Sequence, residues 1–470
     1  MSNIKANFSY NLVYQLFTII MPLITAPYIS RVLGVDGVGT YSYYYSVAAY
    51  FVYFELLGVN NYGVRCIAKC KDEFERSQVF INIYAVQFIC SLIVCFVYIN
   101  YIFLFSNNKL ISLVLLLYVL SGALDINWFF FGTEQFKITT KRNCLIKLGT
   151  IAFIFILVKT RNDVYIYTAI MSAGYLFSQL IMWMYAIRQL RFCKPNVKEL
   201  PGIFRSLLIL FIPVIAVSIY KMMDKIMLGK MTSMIEVGYY ESAEKIVGVP
   251  SVITVALGTS MLPRMSSLNS KNESETFNNY FVRSIDFVSL IGIPIVFGLI
   301  AIADLFIPLY YGNEFYGSIT IMKVLSLSLV FSTWASVIRT QYLIPKERDK
   351  SYVASVLTGA AVNFIVNVTM IPKLGGTGAA IGTVCAEAIV AIFQAVQIQR
   401  EVRIWKYLAL STKYFFPGLL MYIVVRKFIA LDILPAIINV IVAVLIACVT
   451  YFSLLIISYI CKRKLHRMMH

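Results

Sequence analysis

Long apolar runs fill most of this chain, and the polar stretches between them are short. The runs cover residues 10–30, 38–58, 78–104, 110–131, 143–160, 163–187, 205–229, 236–262, 280–308, 318–344, 352–372, 376–398, 408–429 and 433–460. Each reaches or approaches the roughly 20 residues that a helix needs to cross the hydrocarbon layer. The pattern predicts an all-α polytopic membrane protein with about 14 transmembrane helices. The first run is longer than the core of a signal peptide and reads as a retained helix.

The longest polar connection is the basic stretch from Arg188 to Arg205, after the sixth run. It divides the chain into an N-terminal lobe at 1–188, a cytoplasmic linker at 189–204, a C-terminal lobe at 205–400, and two extra spans with a basic tail at 401–470. An internal repeat supports this cut. Span 1 leads into Val32-Leu33-Gly34 and then Val38-Gly39-Thr40-Tyr41. Span 7 leads into Met227-Leu228-Gly229 and then Val237-Gly238-Tyr239-Tyr240. Repeats six spans apart share one orientation, which is the parallel-repeat plan of transporters, with the substrate site near the midplane between the halves. Spans 13 and 14 lie outside the repeat. They either widen a lateral surface for a lipid tail or only stabilise the fold.

Composition sharpens the class. The chain has 470 residues, 60% hydrophobic and 14% charged, with a mean hydropathy of +0.78. Soluble domains carry about 25% charged residues, so this chain cannot cover a water-facing surface. The spans leave no room for an extramembrane enzyme domain, and no reading as an enzyme is drawn. The net charge of +18 is accounted for by the positive-inside rule, not by nucleic acid. With the N-terminus in the cytoplasm, 26 of the 41 Lys and Arg fall inside, Lys141 and Arg142 among them, 8 fall outside and 7 lie within spans. Both termini are therefore expected in the cytoplasm. Only His466 and His470 could supply imidazole, and the Cys66–Cys70 spacing lacks a nearby His, so neither a metal nor another cofactor is expected. No phosphate-cradling G-x-x-x-x-G-K-[ST] segment occurs.

Charges inside spans are costly and mark function. Span 7 carries Lys221, Asp224 and Lys225 on one helical face, and span 8 carries Glu241, Glu244 and Lys245 on another. Span 4 holds Asp125, span 10 holds Arg339, and Arg31 closes span 1. These groups point to a water-filled cavity. Arg31, Lys221, Lys225, Lys245 and Arg339 suit an anionic headgroup. Asp125, Asp224 and Glu244 balance the charge, and one of them is the candidate carrier of a coupling proton or sodium ion. Pro22, Pro27, Pro213 and Pro250 interrupt spans where a moving protein would bend. Span 2 is rich in tyrosine, and those rings deeper than the interface could stack on sugars.

Span 4 and its exit read Asp125-Ile126-Asn127-Trp128-Phe129-Phe130-Phe131-Gly132-Thr133-Glu134-Gln135-Phe136. This resembles the D-x-x-W-x-F-x-G-x-E-x-F signature of the Wzx-type polysaccharide repeat-unit flippases of the MOP transporter superfamily. Pro27 to Gly34, Tyr62-Gly63-Val64-Arg65, Tyr220 to Gly229 and the Asn363, Asn367, Pro372, Gly378, Gly382 series agree with it. Phe131 stands where the family often has Gln. The resemblance implies two six-helix lobes around a central cavity plus two further helices. It implies a substrate of oligosaccharide on undecaprenyl pyrophosphate, moved by alternating access to the outer leaflet of a bacterial inner membrane for O-antigen, capsule, exopolysaccharide or a teichoic-type polymer. Its expected partners are that lipid-linked oligosaccharide, the bilayer and polysaccharide polymerase machinery. The rival within the superfamily is a drug/ion antiporter, which would need an acid-dominated cavity.

Overall fold

The computed structural model describes the backbone of residues 2–191 and 193–468. Side chains are described from residue 21 onward, except at 192, 213, 216, 217, 219–221, 459 and 461–470. Among the described residues the chain is helical, without strands. It forms two compact units, Met1–Ile226 and Met227–His470.

In the first unit, α1 (Ser2–Leu56) carries the expected spans 1 and 2 in one run, broken at Gly34 with φ 70°. That left-handed conformation costs a side-chain-bearing residue its Cβ clearance, so glycine makes the turn without a loop. The matching Leu228-Gly229 does not break its helix. There α8 (Leu200–Met231) runs through, and the turn falls at Ser233, whose hydroxyl accepts from the Glu236 N–H at 3.3 Å. Between them come α2 (Val59–Ile67), α3 (Glu73–Leu104), α4 (Lys109–Ala123), α5 (Asn127–Gly132), α6 (Phe136–Leu157) and α7 (Val164–Ala186). Asp72 caps α3 and Asn108 caps α4 through backbone N–H groups of the first turn. The unit's core joins Phe80, Trp128, Phe129, Phe130, Met182 and Leu207. Gly63 of α2 lies so close to the indole that a Cβ would sit 2.5 Å from Trp128. The aromatic signature of residues 128–130 is therefore a packing element that seats α5 beneath α2 and α3.

The second unit begins with α9 (Met234–Gly248) and α10 (Ser251–Ser270), bent by 46° at the break that holds Pro250. Then follow α11 (Ser274–Tyr311), α12 (Gly317–Ser326), α13 (Ser328–Ile338), a π-helical turn at Arg339–Leu343, α14 (Asp349–Leu374) and α15 (Gly376–Ile398). Gly378 and Gly382 bring α14 and α15 together, with a Cβ at Gly378 only 2.5 Å from the Met370 carbonyl oxygen. Last come α16 (Ile404–Leu410), α17 (Phe415–Ala430) and α18 (Ala436–Met468). These C-terminal helices are built into the unit. Lys413 pairs with Asp286 of α11 at 2.7 Å, Arg426 pairs with Asp304 of α11 at 2.5 Å, and the Tyr451 hydroxyl donates to the Leu290 carbonyl at 2.8 Å. Only 11% of the apolar window of α18 is buried, so its outer face meets lipid.

By length and apolarity, nine described helices qualify as membrane spans, or ten when the bent pair α9–α10 counts as one. The expected count of 14 is not confirmed by that measure. Among those that fall short are α6, with Lys141, Arg142 and Lys147, and α1, with its tyrosine-rich second half. Polar side chains that line a cavity lower a helix's mean apolarity even when its other face meets lipid.

Between α15 and α16, Glu401 accepts from the Tyr342 hydroxyl and from Lys346 Nζ, both at 2.7 Å, and from Arg348. Burial alone would raise this carboxyl. The hydrogen bonds and the Lys346 charge outweigh it and hold the group at about 2, below the ordinary 4.5. A carboxyl depressed on folding lends stability that is complete above its unfolded value and lost as pH falls through the folded one. Glu401→Gln should lower the melting temperature in detergent at pH 7. The gap from wild type should shrink as pH drops from 4.5 toward 2, and a gap independent of pH would disprove the clasp.

Candidate functional site

A cavity of about 660 Å³ opens within the first unit, mid-range for small-molecule sites of about 300–1,000 Å³. Its wall comes from the second half of α1 with Tyr45 and Tyr53, from α2 with Asn60 and Asn61, from the α4–α5 break, from α6 and from α7. Met222 of α8 completes it.

The α4–α5 break is the reason polar groups reach this depth. Span 4 stops being helical at Leu124 and resumes at Asn127. Backbone groups freed inside a membrane need partners from the protein. Gln87 of α3 supplies them, its amide nitrogen donating to the Gly122 carbonyl at 3.2 Å and the Asp125 carbonyl at 2.9 Å. The Trp128 indole N–H in turn donates to the Gln87 amide oxygen at 3.2 Å, and Trp183 donates to the Leu124 carbonyl at 3.0 Å. The break turns Asp125 and Asn127 to the cavity, while Trp128, Phe129 and Phe130 go into the core. Phe131, the departure from the family pattern, puts an apolar ring on the wall.

Asn127 stands between the two opposite charges. Its backbone and side-chain N–H groups donate to Asp125 Oδ1 at 2.9 and 2.7 Å, and its Oδ1 accepts from Arg142 Nη2 at 2.9 Å. Arg142 is 5% exposed. Its guanidinium also donates to Asn143 Oδ1, at 3.1 Å from Nε and 2.7 Å from Nη2, and to the Ser178 carbonyl at 3.4 Å. These oxygens fix the orientation of the guanidinium. Lys147, the next cation on α6, lines the same wall. Tyr45, Tyr118 and Tyr175 also line the cavity and cluster together. Tyr118 and Tyr175 have ring centroids 4.7 Å apart, and the Tyr45 hydroxyl lies 3.5 and 3.3 Å from those of Tyr118 and Tyr175. Among the described lining residues, two are cationic, one is acidic and five are carboxamides.

Of the described charged residues singled out from sequence, Asp125 lines this cavity, and Tyr45 and Tyr53 of the tyrosine-rich span 2 line it as well. In the same unit, Arg31 is exposed and donates to the Pro27 carbonyl at 3.4 Å. Asp224 is buried, with Tyr50 of α1 within electrostatic reach, and Lys225 is half-buried. The Lys221 and Pro213 side chains lie outside the described residues. In the second unit, Lys245 pairs with Glu241 one turn away at 3.0 Å. Glu244 is half-buried. Arg339, on the π-helical turn, donates to Ser336 at 3.5 Å and lies over the Tyr352 ring at 5.6 Å. Sequence reading missed Arg142 and Lys147. Arg142 was assigned to the cytoplasmic end of span 5, and the structure buries it in the cavity wall. The available signal was spacing, since Lys141, Arg142 and Lys147 run into an otherwise apolar helix.

The fold and this wall define a polytopic helical membrane protein with a polar internal cavity. Residues 4–269, more than half of the chain, match the polysaccharide biosynthesis protein family, and the chain belongs to that family. It is similar to two proteins that carry the name O-antigen transporter. The one from Shigella dysenteriae is 23% identical over 80% of this chain and 94% of the relative. The one from Escherichia coli K12 is 24% identical over 83% and 95%. Among solved structures, the chain matches the lipid II flippase MurJ in an inward closed conformation with a TM-score of 0.77, at 17% identity over 97% of this chain and 99% of that one. An inward-facing multidrug resistance MATE transporter of the MOP superfamily matches with a TM-score of 0.63, at 13% identity over 84% and 95%. At these identities the likeness shows the fold alone.

Asn127→Ala should remove the bridge between Asp125 and Arg142 and leave buried groups short of partners, at a cost of about 1–3 kcal/mol. A lower melting temperature of the purified protein checks this, and an unchanged one would show that Arg142 is held without Asn127.

Proposed function

We propose that this protein moves oligosaccharide repeat units linked to a polyprenyl pyrophosphate from the inner to the outer leaflet of a bacterial cytoplasmic membrane. The units serve a surface polysaccharide, and transport proceeds by alternating access without catalysis. The observation that carries the reading is the wall of the first-unit cavity. It combines phenols and carboxamides, which match sugar hydroxyls, with more cationic than acidic charge. Family membership and the names of the relatives support it. A drug/ion antiporter for cationic compounds would need the reverse charge balance, so that reading is not favoured here.

Arg31, Lys221, Lys225, Lys245 and Arg339 are assigned to the pyrophosphate charge. Asp125, Asp224 or Glu244 is assigned to a coupling proton or sodium ion. The uneven split of Lys and Arg supports cytoplasmic termini. Polysaccharide polymerase machinery is the expected downstream partner.

Deleting the gene should make lipid-linked oligosaccharide accumulate on the cytoplasmic leaflet, measured by its accessibility in spheroplasts against inverted vesicles. Normal surface polymer together with lost drug resistance would point to the antiporter. Lys225→Ala and Arg339→Ala should each cut export severalfold at unchanged protein level, and full export in both would remove them from the anion-holding set.

A further inference from the structure

We propose that residues 399–406, on the rim of the second unit, form a docking surface for the anionic phospholipid headgroups of the bilayer. The surface is independent of what the chain transports, and no residue assigned above to the substrate lies in it.

The chain between α15 and α17 separates its apolar from its cationic side chains. Ile404 and Leu408, one turn apart on α16, are buried in the same core as Phe281 and Tyr342. Trp405 and Lys406 between them are exposed, and so are Arg400 and Arg403. Among the described residues, Arg400, Arg403 and Lys406 have no ion pair and no side-chain hydrogen bond. The acid beside them is engaged elsewhere, because Glu401 accepts from Lys346 and Arg348 of the loop before α14. That loop at 346–350 and the rim at 399–406 together carry six cations against three acids, an excess of three positive charges. Such an excess attracts anions from outside the chain.

Depth identifies those anions. The helical run Ile404–Ala430 has 27 residues, about 40 Å at 1.5 Å per residue, against about 30 Å of hydrocarbon. Its surplus turns lie among headgroups. Trp405 is 43% exposed, and its indole N–H donates to Gln399 Oε1 at 3.0 Å. Further along the same run Leu410, Phe415 and Phe416 are exposed. An indole with a satisfied polar tip, next to a band of exposed apolar side chains, marks the boundary between lipid and water. The cations that flank it stand at headgroup level, where anionic lipids supply the countercharge. The array is open and spread over seven residues, which suits several exchanging phosphodiesters. A single pyrophosphate would need the cations to converge, and an acidic segment arriving through water would leave the apolar band uncovered.

The test uses the full-length protein in phosphatidylcholine nanodiscs doped with a lipid brominated near the headgroup end of its acyl chain, either phosphatidylglycerol or phosphatidylcholine. Quenching of tryptophan emission reads which lipid lies beside Trp405, and Trp405→Phe gives the background of the other three tryptophans. Phosphatidylglycerol should associate about fivefold more tightly than phosphatidylcholine. Raising NaCl from about 0.1 M to about 1 M shortens the screening length from about 10 Å to about 3 Å and should erase most of that preference. Replacing Arg400, Arg403 and Lys406 together by Gln should abolish it. Equal quenching by the two lipids, a preference that salt does not weaken, or one that survives in the triple variant would overturn the proposal. The salt series decides by itself if the triple variant fails to fold. Displacement of phosphatidylglycerol by an equal amount of a polyprenyl pyrophosphate would hand the surface to that lipid, and displacement by soluble polyglutamate would hand it to an acidic protein segment. Either result would also overturn the proposal.

Discussion

A membrane helix that stops in mid-span leaves carbonyl and N–H groups that no lipid can satisfy, and Gln87 answers this at the α4–α5 break. Its amide reaches two carbonyls of the break, and the Trp128 indole holds the amide in turn. Removing Gln87 would strand the Asp125 carbonyl and the Trp128 indole N–H, each at a cost of several kcal/mol in hydrocarbon surroundings. One corner of the cavity wall follows from this junction. It turns Asp125 and Asn127 inward, and Asn127 positions Arg142.

The same junction explains why the aromatic run belongs to the architecture. Trp128, Phe129 and Phe130 are buried against Phe80 and the close-lying Gly63, and this packing clamps the short α5 in place. The signature thus couples two jobs in one dozen residues. Its aromatic positions hold the break closed on the core side, and its polar positions open it toward the cavity. A helix as short as α5 has no stability of its own, so the clamp is what allows the polar face to exist.

The second unit obeys the same economy of partners by another route. Asp304 takes both Lys323 and Arg426, and Asp286 takes Lys413, so the charges of α11 fasten α12, α17 and the turn that precedes α17. Close small-residue packing joins α14 to α15. Lys245 is held by Glu241 one turn away.

The apolar runs by themselves determined an all-helical membrane protein, because apolar length and the shortage of charge leave no other way to satisfy a backbone in lipid. The aromatic signature determined the family, and Asp125 was legible as a cavity residue because a lone acid in a span needs a polar neighbour. The remaining members of the site were decided by tertiary structure. Periodicity places a residue on a face of its own helix and says nothing of what that face meets. Arg142 read as the end of a span until α1, α5 and α7 packed against α6, and Tyr118 and Tyr175 became one cluster only when α4 packed against α7.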